Sequence, residues 1–343
     1  MMKTNGKLIA VLAALLCLSL VLGLAACGKQ PAGNDDATAA PVNDGPAPRK
    51  MTIGILQYAQ HPSLDNCREG FLQGLAEAGL VAGEDFEVLY ENAGADDALN
   101  QQIANNFAAK NVTLMCAIAT PSATACYAAA EEKHIPVIFT AITDPEAAGL
   151  TEGDVTGTSD KLPVDAQLEL IRALQPDAKT IGIIYTLSEP NSVSAIAEYE
   201  EKAGDYDFEI VAKGVSASDE IALAADALIS EEVDCFSNLT DNNVVNVLAS
   251  ILEKTDAAGI PVYGSEVEQV KNGCVAAAGI DYLELGKLTG EMTAKLLRGE
   301  ATCATLPYES VREFSTYING EALAAMDITV PEKIAEKAVE VNE

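Results

Sequence analysis

Apolar and polar positions along the chain follow two alternating patterns. Short runs rich in β-branched and aromatic residues are separated by longer stretches in which apolar residues recur at helical spacing. After "TIGI" at Thr52 to Ile55 the sequence predicts a polar loop, a helix from Cys67 to Gly79, a strand "FEVLY", a helix from Asp97 to Lys110, an apolar strand "VTLMCAIAT", a further helix, and "IPVIFT". "TIGI" returns at Thr180 to Ile183. It is followed by a polar loop, a helix from Val193 to Ala203, "FEIVAKG", a helix from Asp219 to Ser230, "VDCFSNLT", a helix, and "IPVYGS".

The order of elements is the same both times, and anchors keep nearly constant offsets: Ile53 with Ile181, Phe86 with Phe208, Thr120 with Thr240, Pro136 with Pro261. A succession of this length marks an internal duplication. Each half alternates strand with helix, the signature of βαβ units, a parallel sheet and helices on both faces. The fold class expected is therefore α/β, two similar doubly wound lobes beside a cleft. In such sheets the loops at the carboxyl ends of the strands face the cleft; here they are "QYAQHPS", "ATPSA", "FTAITDP", "YTLSEPNS", "NLTDNN" and "YGSE".

The tail breaks the duplication. "CVAAAGIDYLELGKLTGEMTAKLLRG" reads as a strand and a long helix, and "LPYESVREFSTYIN" as one or two strands. The chain is thus expected to cross back between lobes, making hinge segments of the kind that close around ligands. The division expected is a first lobe of 51–145 and 281–303 and a second of 146–280 and 304–343.

What precedes Met51 is not part of this body. Lys3 and Lys7 stand before an uncharged apolar run, Leu8 to Ala26, as in an export signal. The run ends in "LAAC", which resembles the lipobox of bacterial lipoprotein signals, with Cys27 as the lipidated first residue of the mature chain. A retained spanning helix is the competing reading, and the run is only marginally long for it. Residues 27–50, poor in large apolar side chains and rich in Pro, Gly, Asp and Asn, read as a flexible tether. The expected location is outside the cytoplasm, anchored to the cell membrane by lipid.

With 343 residues, 49% of them hydrophobic, the chain has ample core for two domains. Its net charge of −31 repels nucleic acid and anionic lipid surfaces, and solubility is the plainest reason for it. Beyond Cys17 and Cys27, the cysteines Cys67, Cys116, Cys126, Cys235, Cys274 and Cys303 are scattered without a CxxC, so neither a zinc cage nor a dense disulfide framework follows. Cys116 and Cys235 lie in apolar runs and read as buried thiols.

Candidate ligand chemistry sits in the cleft loops. "TPS" at Thr120 to Ser122 suits an anion at a helix start, with Thr120 as N-cap, Pro121 first in the helix and Ser122 adding a hydroxyl. The equivalent "TDN" carries Asp241, a negative charge suited to an ammonium. An ordinary capped helix is the plainer reading of each. Together they describe a zwitterion such as an amino acid. Gln57, Tyr58 and His61 follow the first strand; Tyr185, Asn191 and Ser192 follow its repeat. Tyr58 and Tyr185 could sandwich an apolar or aromatic group, or pack in the core. Thr143 in "ITDP" could donate to a ligand or belong to a type I turn. Asp281 is expected on the hinge side.

"HPSLDNCREGF", "IATPSA", "IPVIFTAITDPEAAGL", "TGTSD", "YTLSEPNSV", "LTDNN" and "AAGIDYLELG" resemble the ABC transporter substrate-binding proteins of the family that includes tryptophan- and tyrosine-binding lipoproteins. The resemblance runs from about Thr52 to about Pro331. It implies a periplasmic-binding-protein fold of type I, a monomer that captures a small solute, most simply an aromatic amino acid, and delivers it to a membrane permease with a cytoplasmic ATPase. Thr120, Ser122, Thr143, Asn191, Ser192 and Asp241 stand in the matching motifs. Ser122 stands where Ala is commoner. No GxSxG, HExxH, GxxxxGK[ST] or GxGxxG appears, so a binding protein without cofactor is expected rather than an enzyme. A sensor signalling to a membrane receptor, or a receptor for a nucleoside or other solute, would need the same closing cleft.

Overall fold

The computed structural model describes residues 50–311 and 314–341. The expected export signal, Cys27 and nearly all of the expected tether lie outside the described residues. No helix among the described residues is long and apolar enough to cross a membrane.

The first lobe runs β1 (Met51–Gln57), α1 (Pro62–Glu77), β2 (Phe86–Asn92), α2 (Asp97–Lys110), β3 (Leu114–Ile118), α3 (Thr120–Ala130), β4 (Val137–Ile142) and β5 (Val155–Ser159). The chain crosses at residues 160–163 into the second lobe. There it forms α4 (Val164–Leu174), β6 (Thr180–Thr186), α5 (Pro190–Lys202), β7 (Glu209–Val215), α6 (Ile221–Ser230), β8 (Cys235–Ser237), α7 (Asn242–Asn246), α8 (Leu248–Ala258), β9 (Val262–Tyr263), α9 (Val267–Lys271) and β10 (Ala276–Gly279). It returns to the first lobe for α10 (Tyr282–Leu297) and β11 (Glu309–Ser310), then ends in the second with β12 (Ser315–Ile318), α11 (Gly320–Ala325), α12 (Glu332–Ala335) and β13 (Val339–Glu340).

The first sheet has the order β2-β1-β3-β4-β5-β11 and is parallel throughout. The second has the order β7-β6-β8-β9, and hydrogen bonds from Gly264 N to Ala276 O (2.9 Å) and Val275 N to Val262 O (2.8 Å) continue it into β10-β12-β13. β1 to β4 and β6 to β9 therefore share one winding, the duplication expected from the repeated "TIGI". The six cysteines between Cys67 and Cys303 are free, buried thiols.

The expected lobe boundaries shift. Residues 146–159, placed with the second lobe, belong to the first, because β5 pairs in parallel with β4. β11, also expected in the second lobe, pairs with β5. The strand "VTGTS" carries little apolar signal in its Thr and Gly content, yet it is buried at every position.

α1 and α10 set the geometry at the mouth of the cleft. Gly70 and Gly74 on α1 face backbone of Leu283 and Lys287, and Gly286 and Gly290 on α10 face backbone of Cys67 and Phe71. A methyl group at any of the four would overlap a carbonyl oxygen. The two helices touch backbone to backbone, and so bring His61 before α1 and Tyr282 at the start of α10 to one end of the lobe.

Candidate functional site

The cleft is lined by the carboxyl ends of strands and the amino ends of helices from both lobes. The lobes touch directly across it: Thr143 Oγ1 lies 3.0 Å from Thr240 Oγ1, His61 Nε2 3.3 Å from Asn242 Oδ1, and Ser194 Oγ donates to Asp144 Oδ2 at 2.6 Å. Asn66 Nδ2 donates to Glu268 Oε1 at 3.0 Å. The conformation is closed. Between the lobes is a cavity with ≈ 20 Å³ open to the centre of a water molecule, lined among others by His61, Thr120, Asp160, Asn191, Asn242 and Glu266. A more open recess of ≈ 270 Å³ lies on the other side of His61 and Ser63.

On the first-lobe side, α3 starts one residue earlier than expected. Thr120 is the first helical residue and Ala119, at φ 79°, is the N-cap, with no side-chain cap. The Thr120 hydroxyl is consequently buried without a hydrogen-bond partner among the described residues, and it lines the cavity. Ala141, at φ 59°, lies where the β4 to β5 register shifts, and also lines it. Left-handed backbone at two alanines in one cavity is costly, and such outliers cluster at ligand sites. Ser122 points elsewhere: it donates to Asn100 Oδ1 at 2.8 Å and ties α3 to α2.

The second-lobe helix end is the opposite case. The backbone N–H groups of Asn242, Asn243 and Val244, the first turn of α7, are all taken. Asn242 and Asn243 donate to Glu189 at 3.1 and 3.3 Å, and Val244 donates to Asp241 at 3.0 Å. Asp241 also accepts from Thr186 N (2.6 Å), Thr186 Oγ1 (2.9 Å) and Ser192 Oγ (2.7 Å). Its oxygens are occupied within the second lobe, so Asp241 is a cap and a brace for Ser192, and the structure does not bring it to the cavity wall. Asn191 does line the cavity; its Nδ2 donates to Glu189 and Thr240 O, while its Oδ1 is buried without a partner among the described residues.

Several other expected site residues are used inside the fold. Gln57 is bound by Arg68 at 2.9 Å and donates to Asp65 at 3.0 Å. Tyr58 donates to Asp97 at 2.8 Å, and Tyr185 packs on Gly214 in the neighbouring strand; no aromatic sandwich forms. Asp281 is exposed and caps α10 through Leu283 N at 2.8 Å. His61 and Thr143 are at the cleft, Thr143 donating to Asp160 at 3.0 Å. Burial pushes His61 below the usual histidine range, keeping the ring neutral.

The acidic groups at the cavity are ones the sequence reading did not single out. Asp160 follows β5 and accepts from Tyr282 OH at 2.5 Å as well as from Thr143. Glu266 caps α9, accepting from Glu268 N at 2.6 Å and Gln269 N at 2.9 Å, and is also bonded to the Ser63 hydroxyl. Burial raises both, Glu266 to about 7. Glu189 and Glu266 stood in loops already assigned to the cleft, "YTLSEPNS" and "YGSE"; Asp160 was hidden because its strand was. The cavity therefore joins an uncapped helix end and a free hydroxyl to buried carboxylates that hydrogen-bond donors surround only in part.

Two lobes whose first four strands are parallel and wound alike, closed over a small cavity, define a periplasmic-binding-protein fold of type I. Residues 52–342 match the model of the ABC transporter substrate binding protein family, and the chain belongs to that family. It is 35% identical over 335 residues to a tyrosine-binding protein of Clostridioides difficile, covering 96% of this chain and 94% of that one. It is similar to the crystal structure of an ABC domain in complex with L-Trp from Streptococcus pneumonia (TM-score 0.82, 32% identity, 85% and 99% of the two chains). A ligand-free, open substrate-binding protein with adhesive properties from Clostridium difficile superposes less well (TM-score 0.65) at 34% identity, covering 85% and 99%. At nearly equal identity, the lower score with the open form agrees with the closed lobes seen here.

Proposed function

We propose that this protein is an extracytoplasmic, lipid-anchored receptor that captures an aromatic amino acid between its lobes as a monomer and delivers it to an ABC permease. The observation that carries the ligand class is the pairing within one cavity of an uncapped helix start bearing the free Thr120 hydroxyl with the buried carboxylates Asp160 and Glu266. The first end suits a carboxylate and the second an ammonium. Similarity to a tyrosine-binding protein and to a tryptophan complex supports the aromatic side chain. The cavity is too small for such a molecule, so the lobes must part to admit it, and the side chain would extend toward the larger recess beyond Ser63. Anchoring rests on Cys27: Cys27→Ala should abolish incorporation of labelled palmitate and release the body from the membrane.

The ligand test is a thermal-shift screen of the body from Arg49 onward, stripped by partial unfolding, against the amino acids and nucleosides. At 100 times its dissociation constant a ligand stabilises by about 2.7 kcal/mol. A shift confined to tryptophan, tyrosine or phenylalanine, lost in Asp160→Asn while the ligand-free midpoint is kept, is expected. A shift with a nucleoside and none with any amino acid would overturn the assignment.

A further inference from the structure

Glu189 is fully buried in the loop before α5. Its carboxylate accepts from Asn191 Nδ2 (3.1 Å), Asn242 N (3.1 Å), Asn242 Nδ2 (2.7 Å), Asn243 N (3.3 Å) and Asn243 Nδ2 (3.1 Å). All five partners are donors. A carboxylate has no hydrogen to give, so the NH2 ends of these side-chain amides must be the ends turned toward it. An asparagine whose NH2 is fixed has its carbonyl oxygen fixed on the other side. Asn242 Oδ1 lies at the lobe interface, 3.3 Å from His61 Nε2, and Asn191 Oδ1 has no partner among the described residues. Both asparagines line the interlobe cavity.

We propose that Glu189 is a positioning residue that sets the polarity of the second lobe's half of the cavity. By holding Asn191 and Asn242 with their NH2 groups inward, it presents carbonyl oxygens to the ligand and selects a protonated primary amine over a neutral group of the same shape. A buried carboxylate next to Asp241 is an expensive way to tie a loop down. Its carboxylate accepts from both amides at once, with the Thr240 carbonyl sharing Asn191, whereas a glutamine there brings an NH2 of its own that needs an acceptor. Glu189→Gln sets an NH2 either against Asn243 at the Oε1 position or against Asn191 and Asn242 at the Oε2 position, and the second placement turns a cavity asparagine around and puts an N–H donor where the ammonium should lie.

The inference takes its probe, tryptophan, from the proposed function, and its test separates the two. Binding of tryptophan and of 3-indolepropionate, which lacks the amine, is measured on the wild type and Glu189→Gln. Loss of a charge-assisted contact predicts that tryptophan affinity falls by about 10- to 100-fold. Affinity for 3-indolepropionate should hold or rise; an equal loss for both ligands would show a merely structural role and overturn the proposal. The orientation itself is read without ligand, from hydrogen exchange of the side-chain NH2 of Asn191 and Asn242 in 15N spectra of the wild type. Slow exchange is expected, and fast exchange refutes the proposal even if the variant does not fold. Protected amides in a wild type that binds neither tryptophan nor tyrosine would sink the proposed ligand and leave the positioning role standing.

Discussion

At the scale of single residues the cleft contrasts carboxylates that are saturated with carboxylates that are not. Asp241 takes four hydrogen bonds from its own lobe. Asp241→Ala would leave these buried donors unpaired, each at about 1–3 kcal/mol, so the second lobe should unfold at markedly lower urea whether or not ligand is present. Glu266 has a different signature. Its carboxyl lies at about 7 in the folded protein against 4.5 as reference, because burial disfavours the charge. The folded state thus binds the proton more tightly than the unfolded chain, and stability falls as pH rises from about 4.5 to about 7. Burial and the neighbouring Asp241 push Glu189 upward too, against the donors from Asn242 and Asn191 that favour its ionised form. Chemical denaturation across this range should show a shallower decline in Glu266→Gln than in the wild type. The ligand's ammonium needs Glu266 ionised, so affinity for tryptophan should weaken as pH drops below about 7, by at most tenfold per unit. Calorimetry in buffers of different ionisation enthalpy should detect proton release on binding near neutral pH.

Among the elements, the α1 and α10 pair is the tightest fit. Glycines at four positions let the two helices meet backbone to backbone, and this contact holds His61 and Ser63 at one helix start and Tyr282 at the other. Gly74→Ala would force the helices apart at a carbonyl of Lys287. Overpacking of this kind costs about 1–3 kcal/mol. The thermal midpoint should fall and ligand affinity with it, since Tyr282 holds Asp160. The start of α3 is the second element with a role beyond packing. Thr120→Val removes a hydroxyl that has no partner among the described residues, so stability should hold or rise slightly. Tryptophan affinity should drop by about 3- to 10-fold for one lost hydrogen bond. Retained affinity would remove Thr120 from the ligand's carboxylate.

For the whole molecule, closure rests on a few polar contacts between lobes: Thr143 with Thr240, His61 with Asn242, Ser194 with Asp144, Asn66 with Glu268, and Ser63 with Glu266. None is a buried apolar interface, so the closed state is held by small increments that a ligand can outweigh or reinforce. Combining Thr143→Val with Ser194→Ala should shift the ligand-free protein toward the open form, seen as a larger radius of gyration in small-angle scattering. Saturating ligand should restore the compact form; a radius unchanged by the substitutions would mean that closure is held elsewhere.

The repeated "TIGI", the alternation of strand and helix, and the matching anchors determined the two lobes, because periodicity and duplication are local properties written along one chain. Helix α2 was legible to the residue, since Asp96 and Asn111 flank a strongly helical run. The strand Val155–Ser159 was not, because Thr and Gly carry little apolar signal, and missing it misplaced a lobe boundary and concealed Asp160. The sequence marked the loops that face the cleft but not which side chains in them are free. Asp241, Ser122, Tyr58 and Gln57 had the right chemistry and are engaged by Thr186, Asn100, Asp97 and Arg68. Asp160, Glu266 and Glu189 took the places at the cavity or behind it. A side chain's availability to a ligand depends on which donors the folded neighbours aim at it. Those neighbours are distant in sequence, so tertiary structure alone decided that part of the site.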